Sequence, residues 1–403
     1  MRVDELHRLA TQAGGHDARD QESGMLRITS ASRFLPVALL ARRFAAGVLI
    51  TVTLGACTMT AVANAPSAEP LDQAGPEAVE NKIDQLMARY AGNGPGASLL
   101  VVRAGEPPIR RAYGMADVEN AMPVTAATNF RLASVSKQFT AASTLLLAQD
   151  GRLSLDDPAR NWLPELPTAN AGVTIRHLLT HGSGLIDYED ELPDDLAHQV
   201  HDADVLAILS RQDSTYFPPG GDFQYSNSGY ALLALIVERV SGQSYPAFLQ
   251  ERIFRPLGMT GTLAYVEGGP AISHRAYGYG LMDGAWVRTD QSSTSAVLGD
   301  GGIYSSIEDL EKWNAALSDD RLLSDQSRAL AFAPAVSTHD PAVHYGLGWY
   351  VGKDRVWHSG ETIGFRNVLV RYPKQGLAVV ILSNRNDPEP METTLAIAAL
   401  FQQ

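Results

Sequence analysis

Ser134 and Lys137 are the two residues of this sequence whose types and spacing most clearly suggest chemistry. They stand three positions apart, so on a helix their side chains would meet on one face. A serine in the first turn of a helix also lies near free backbone N–H groups and the positive end of the helix dipole. At this position the free N–H groups and the helix dipole would favour both the attack of the hydroxyl and the oxyanion that develops. A buried Lys137 with lowered proton affinity would accept the proton of the serine.

The residues that position this pair read as the start of a helix. Apolar side chains recur after Lys137, and Asp150-Gly151 supplies a stop signal. Ser-x-x-Lys alone also fits an ordinary helix start with an exposed lysine, because short motifs often match by chance. A catalytic role for Ser134 therefore requires partner residues elsewhere in the chain.

A first set of partners stands at Tyr225-Ser226-Asn227, between a Pro/Gly-rich loop and an apolar helical pattern. An ordinary explanation is a helix cap, in which Ser226 or Asn227 satisfies free N–H groups. The functional explanation is a phenol and an amide presented to a cleft. A tyrosine near a lysine would act as a general base, because a neighbouring positive charge favours the phenolate.

A second set of partners is His358-Ser359-Gly360-Glu361, in a stretch with a strand pattern. Its ordinary explanation is a strand edge with a solvated histidine. The functional explanation is that the small Ser359-Gly360 step lets a ligand approach the backbone closely.

Taken in order, the three stretches resemble the serine β-lactamase and penicillin-binding protein superfamily. The Tyr-x-Asn form of the middle stretch resembles the class C β-lactamase branch, with its related D,D-peptidases and esterases. The resemblance spans about residues 76–403 and includes accessory stretches at 177–185, 301–306 and 345–349.

The resemblance implies a role for each matching residue. Ser134 would be the nucleophile, and Lys137 and Tyr225 would move its proton. The N–H groups of Ser134 and Glu361 would form the oxyanion hole. The remaining residues would hold the substrate, namely Asn227, His358, Ser359 and Gly360.

The implied fold is α/β plus all-α, a mostly antiparallel sheet flanked by helices with an inserted helical domain. The apolar patterns agree with it, because strand patterns stand near both ends of residues 76–403 and helical patterns stand between them. We expect the sheet to come from about 76–130 and 335–403, and the helical part from about 131–334. Within the sheet, a strand is expected over 346–351.

The predicted function is a serine hydrolase that forms an acyl-enzyme on a peptide-like, small ester or β-lactam substrate. A penicillin-binding D,D-peptidase, a class C-like β-lactamase and a ligand sensor without turnover remain alternatives. No cofactor or metal is expected: His177 and His181 stand four apart, but Leu178 occupies the position where a zincin has glutamate. The formal charge of −13 argues against nucleic acid or an anionic membrane as the main partner. The partner that the resemblance implies is a small or peptide-like acyl substrate.

Two departures from the class C pattern bear on the substrate. His358 stands where those enzymes carry the lysine of Lys-Thr-Gly, and a histidine is mostly neutral at pH 7. Glu392 falls where they carry an arginine that receives the substrate carboxylate, and Glu389 adds a second negative charge. Weak β-lactamase activity is therefore expected, unless an arginine at another position faces the cleft; the candidates are Arg366, Arg371 and Arg385.

The first 65 residues read as an export signal, and 66–75 as a linker. Residues 44–56 form an apolar run behind Arg42-Arg43, too short for a typical membrane-spanning helix. Two processing sites compete. Residues 54–57 resemble a bacterial lipobox ending in Cys57, the site of possible lipidation, whereas Ala63-Asn64-Ala65 fits ordinary signal cleavage. Either route places the body in the bacterial cell envelope, as a soluble or lipid-anchored periplasmic protein.

Cys57→Ser distinguishes the two routes. A lipid-anchored protein is expected to move from the membrane fraction to the soluble periplasmic fraction, because the thiol carries the lipid. A protein cleaved after Ala65 keeps its distribution. The measurement is fractionation of cells followed by immunoblotting, and a body found in the cytosol would contradict both routes.

Overall fold

The computed structural model describes residues 76–193 and 195–402. The predicted export signal, Cys57 and the linker lie outside these residues. The described helices, in chain order, are α1 (Pro76–Met87), α2 (Lys137–Gln149), α3 (Ile175–Leu179), α4 (Asp202–Leu209), α5 (Asn227–Ser241), α6 (Tyr245–Leu249), α7 (Arg255–Leu257), α8 (Leu298–Gly301), α9 (Ile307–Ala316), α10 (Asp325–Ala331) and α11 (Met391–Ala399).

The described strands, in chain order, are β1 (Ala97–Val102), β2 (Ile109–Tyr113), β3 (Met115–Asp117), β4 (Met122–Pro123), β5 (Phe130–Arg131), β6 (Leu263–Ala264), β7 (Tyr279–Met282), β8 (Ala285–Arg288), β9 (Ile303–Ser305), β10 (Val336–Ser337), β11 (His344–Tyr345), β12 (Tyr350–Val351), β13 (Val356–Thr362), β14 (Phe365–Tyr372) and β15 (Leu377–Ser383).

The main sheet has eight strands in the order β10-β11-β12-β13-β14-β15-β1-β2. Every neighbouring pair in it is antiparallel. β1 lies beside β15, with Ala97 opposite Ser383, so strands from the two ends of the described chain meet in the middle of the sheet. This confirms the predicted fold class, a mostly antiparallel sheet closed by the two ends of the catalytic unit.

Both faces of the sheet are covered, which explains the unbroken apolar run of β15. Val379 and Ile381 face a core that contains Ile83 of α1 and Ile397 of α11. Val380 points to the opposite core, which it shares with the helical part of the chain. Alternating side chains of a strand face opposite sides of the sheet, so a strand covered on both sides needs apolar residues throughout.

The helical part is built around α2 and α5, whose side chains are mostly buried. It follows the predicted helical stretch closely but also contains two small sheets. One is the hairpin β7–β8, whose turn residues Asp283 and Gly284 have φ of 50° and 80°. These angles suit a tight hairpin, and Asp-Gly is a typical sequence for it.

The strand predicted over 346–351 is wrong in its first four residues. Gly348 has a φ of +82°, so the chain turns between β11 and β12 instead of continuing extended. Within the ranges that the structure describes, no helix has the length and apolar character needed to cross a membrane.

Candidate active site

Ser134 lies in a short 3₁₀ turn, Ala133–Ser136, that leads directly into α2. The ammonium of Lys137 lies 3.0 Å from the Ser134 hydroxyl, so the two side chains meet as their spacing predicts. Ala133, immediately before the serine, has a φ of +51°. This left-handed conformation is unfavourable for a residue with a Cβ, and such strain often accompanies functional sites.

The turn that carries Ser134 rests against β13 at Gly360. A Cβ added to Gly360 would lie 2.1 Å from the carbonyl oxygen of Leu132 and 3.2 Å from the backbone nitrogen of Ser134. No side chain fits at this contact. The small Ser359-Gly360 step therefore lets another part of the chain approach the strand, and that part is the turn that holds the serine.

Lys137 is fully buried, and its ammonium donates to three acceptors from three parts of the chain. Besides the Ser134 hydroxyl, these are the side-chain oxygen of Asn227 at 2.7 Å and the carbonyl oxygen of Asp300 at 3.0 Å. Burial lowers the pKa of Lys137 to about 8, against the opposing effect of nearby carboxylates, chiefly that of Asp300. A substantial fraction of the lysine is thus the neutral amine at mildly alkaline pH.

Tyr225 and Asn227 flank this lysine from the start of α5. The ammonium of Lys137 lies 5.0 Å from the centre of the Tyr225 ring. Burial raises the pKa of Tyr225 far above its ordinary range, and the interaction with the Ser134 side chain opposes this only in part. Burial thus outweighs the expected effect of the lysine charge, and Tyr225 keeps its proton as a neutral phenol.

Ser226 and Asn227 do not supply the side-chain helix cap that the sequence allows. The backbone N–H of Asn227 instead donates to a carboxylate oxygen of Asp187 at 2.7 Å. The amide of Asn227 bridges Lys137 and Glu189, to which it donates at 3.2 Å. Asn227 thereby lies in the wall of the cavity beside Ser134.

Glu361 lines the same cavity as Ser134, and the oxyanion hole formed by their N–H groups stays a prediction. Its side chain is exposed and lies 2.5 Å from the guanidinium of Arg366. The backbone of β13 therefore borders the serine over Gly360 and Glu361.

His358 lies behind the cavity and is buried, not solvated. Its Nδ1 lies 2.6 Å from the carbonyl oxygen of Ser359, which can only accept, so Nδ1 carries the hydrogen. Its Nε2 then accepts from the Tyr345 hydroxyl at 2.9 Å. Burial and the nearby Lys137 lower the pKa of His358 to about 3, so the ring is neutral. Both ring nitrogens are occupied inside the protein, and the cavity beside Ser134 is lined by Glu361 and Thr362 of β13 instead of His358, Ser359 and Gly360.

The three arginines named as possible carboxylate receptors have other partners. Arg366 pairs with Glu361 and Glu389. Arg371 donates to Asn314 and Ser318 near the end of α9, and Arg385 donates to backbone carbonyl oxygens.

Arg131 does line the Ser134 cavity, which the sequence did not indicate. It is buried and donates to the carbonyl oxygen of Ser295 at 2.7 Å, so it helps hold the loop on that side of the cavity.

Sequence reasoning also missed the acidic residues around Lys137. Asp187 and Glu189 come from the turn beside α5, and Asp300 comes from α8. Burial raises the pKa of all three carboxyl groups, while the lysine counteracts this. Asp187 and Glu189 stand in an ordinary acidic stretch, and Asp300 stands between two glycines, so nothing in the sequence distinguishes the three from surface residues. The described residues contain no group of three or more His, Cys, Asp or Glu side chains that could hold a metal ion.

Known proteins match this chain in sequence. A family model described as Beta-lactamase matches residues 79–403. Penicillin-binding protein 4* of Bacillus subtilis (strain 168) is 33% identical over 340 residues, which cover 80% of this chain and 74% of that protein. Protein flp of Staphylococcus aureus (strain MRSA252) is 30% identical over 323 residues, which cover 76% of this chain and 63% of flp.

Solved structures match it as well. The octameric penicillin-binding protein homologue from Pyrococcus abyssi superimposes with a TM-score of 0.72 at 26% identity, over 80% of this chain and 76% of that one. The D-amino acid amidase from Ochrobactrum anthropi SV3, complexed with L-phenylalanine amide, gives 0.70 at 28% identity, over 81% of this chain and 99% of the amidase.

The fold and the sequence match together define a serine hydrolase of the β-lactamase and penicillin-binding protein superfamily. The chain belongs to the Beta-lactamase family. This confirms the resemblance at the level of the superfamily, and the class C branch remains a prediction.

Gly360→Ala tests the contact between β13 and the serine turn. The methyl group would collide with the Leu132 carbonyl oxygen, so the turn must move. We expect the rate of covalent labelling by a fluorophosphonate to fall by about 100-fold, the effect of a 1 Å misplacement on a catalytic group. Gly172→Ala is the matched control, because a Cβ there meets only a proline carbon at 3.8 Å. Wild-type labelling in the Gly360 variant would contradict this role of the glycine.

Proposed function

We propose that this protein hydrolyses small amide or ester substrates through an acyl-enzyme on Ser134, and that it favours substrates with an ammonium group near the scissile carbonyl. The observation that carries the catalytic part is the 3.0 Å contact between Ser134 and a buried lysine of lowered pKa. The acidic side chains around the cavity support the choice of substrate.

In this mechanism, neutral Lys137 is the general base. After losing one proton, the amine keeps two N–H donors for Asn227 and Asp300 and directs its lone pair at the Ser134 hydroxyl. As the serine oxygen bonds to the substrate carbonyl, its proton passes to Lys137. N–H groups of Ser134 and Glu361 stabilise the oxyanion, each by about 3 kcal/mol of barrier.

Tyr225 supplies the proton for the leaving group. A phenol with a raised pKa holds its proton and can pass it to the departing nitrogen or oxygen, then recover one from Lys137. Water completes the cycle by attacking the acyl-enzyme, which releases the acid and restores the serine. Ser359 and Gly360 on β13 and Asn227 on α5 flank the acyl group on its two sides.

The charges around the cavity support an ammonium-bearing substrate. Glu189, Asp300 and Glu361 all line it. Lys137 offsets one of these charges, and Arg366 pairs with Glu361. Arg131 also lines the cavity but donates to the carbonyl oxygen of Ser295, and Glu189 is exposed. The amidase among the structural relatives is named for D-amino acid amides, which carry such an ammonium group. A β-lactam carboxylate would meet these acidic groups, while Arg131 in the lining already donates to the carbonyl oxygen of Ser295.

The pH dependence of kcat/KM tests whether Lys137 is the general base. Because only neutral Lys137 accepts a proton, kcat/KM is expected to rise with pH and level off above a pKa of about 8. Between pH 7 and pH 9 the increase should be about tenfold, which is the change in the neutral fraction of such a group. The measurement is hydrolysis of p-nitrophenyl acetate, with Ser134→Ala as the inactive control. A profile that is flat between pH 7 and pH 9 would exclude Lys137 as the base.

Glu189→Gln tests the substrate preference. The change removes the charge but keeps the oxygen that accepts from Asn227. We expect kcat/KM to fall about fivefold for D-alanine p-nitroanilide, the upper range for an exposed ion pair, and to stay unchanged for N-acetyl-D-alanine p-nitroanilide. Glu191→Gln, on the same 3₁₀ helix but outside the cavity, is the control.

Equal losses on the two anilides would mean that Glu189 does not recognise the ammonium. Nitrocefin serves as the third substrate. Efficient hydrolysis, about 10⁵ M⁻¹s⁻¹ or more on the common scale for enzymes, would favour a β-lactamase instead. A persistent acyl adduct without turnover would favour a sensor.

A further inference from the structure

His181 is held beside Tyr225 in an unfavourable state. Its φ of +58° lies in the left-handed region, where a residue with a Cβ is uncommon. The side chain is 2% exposed. Strain of this kind is unfavourable and persists only where the surroundings enforce it.

The hydrogen bonds of His181 fix its protonation. The backbone N–H of Ser226 donates to Nδ1 at 3.2 Å, so Nδ1 is an acceptor and the hydrogen of the neutral ring is on Nε2. Among the described residues Nε2 has no hydrogen-bond partner. Burial lowers the pKa of His181 well below its ordinary value, with Lys137 and His358 adding to the effect, so the ring stays neutral.

The ring of His181 packs on the ring of Tyr225. Their centres are 4.2 Å apart and the planes are tilted by 33°. Tyr345 lies on another side, with its ring centre 4.6 Å from that of His181. The hydrogen bond to Ser226 holds the residue next to Tyr225 in the chain, so His181 restrains both the ring and the backbone of this tyrosine.

We propose that His181 is a positioning residue for the reaction, which orients the Tyr225 hydroxyl toward Ser134 by packing on the phenol ring and by fixing the Ser226 backbone. The inference rests on the proposed role of Tyr225 in proton transfer. His181 combines a strained backbone with a buried N–H that has no partner among the described residues, although it does not line the Ser134 cavity. Both are consistent with a side chain that is needed for its shape and its acceptor nitrogen.

A double-mutant cycle distinguishes positioning from general support of the fold. The variants are His181→Asn, Tyr225→Phe and the double variant. Asparagine suits the left-handed backbone but lacks the ring. We expect the acylation rate to fall about tenfold in His181→Asn and about 100-fold in Tyr225→Phe, which loses the proton carrier. If His181 acts only through the Tyr225 hydroxyl, the double variant is no slower than Tyr225→Phe, within about twofold.

The controls separate the possible outcomes. His339→Asn makes the same change at an exposed histidine near Phe223 and should keep the wild-type rate. Circular dichroism and thermal unfolding establish that each variant is folded, and His181→Gly replaces His181→Asn in the cycle if the latter does not fold, because glycine adopts this backbone freely. Losses that multiply in the double variant, or a wild-type rate in the His181 variant, would overturn the proposal. A wild-type rate in Tyr225→Phe would instead contradict the proposed function.

Discussion

The burial of Lys137 is the constraint on which the rest of the site depends. A buried ammonium loses its hydration, so its proton affinity falls unless hydrogen bonds and nearby charges compensate. The three acceptors of Lys137 come from the serine turn, the start of α5 and the end of α8. These segments are far apart in the chain, and the packing of the serine turn, α2, α5 and α8 on one another brings them together. The pKa of about 8 follows from this incomplete compensation.

The two histidines beside the lysine add no positive charge. Both His181 and His358 are buried and neutral, and Lys137 itself lowers the pKa of each. The carboxyl groups of Asp187, Glu189 and Asp300 lie near the same lysine, and their charges favour its protonated form. Arg131 is a second cation in the lining of the cavity, and it donates to the carbonyl oxygen of Ser295.

The carboxylate of Asp187 shows how structural and functional roles combine here. It accepts the N–H of Asn227, the first residue of α5, where a negative charge is favourable. This hydrogen bond fixes Asn227, whose side-chain oxygen accepts from Lys137. Gly360 has a similar double role, because its missing side chain lets the serine turn rest directly on β13.

The sequence by itself determined the main features of the fold and the residues nearest the chemistry. Apolar periodicity is a local property, so it correctly indicated strands near both ends of the catalytic unit and helices between them, although the strand expected over 346–351 forms only at Tyr350–Val351. The spacing of Ser134 and Lys137 is likewise local, because residues three apart on a helical turn meet whatever surrounds them. Other features of the site were decided only by the tertiary structure, because they depend on burial and on contacts between distant segments. Burial outweighed the expected effect of Lys137 on Tyr225 and kept His358 as a buried, neutral ring. Packing also gathered Asp187, Glu189, Asp300 and His181 around the lysine. A pKa depends on solvation and on nearby charges, and both are defined only after distant segments of the chain have packed together.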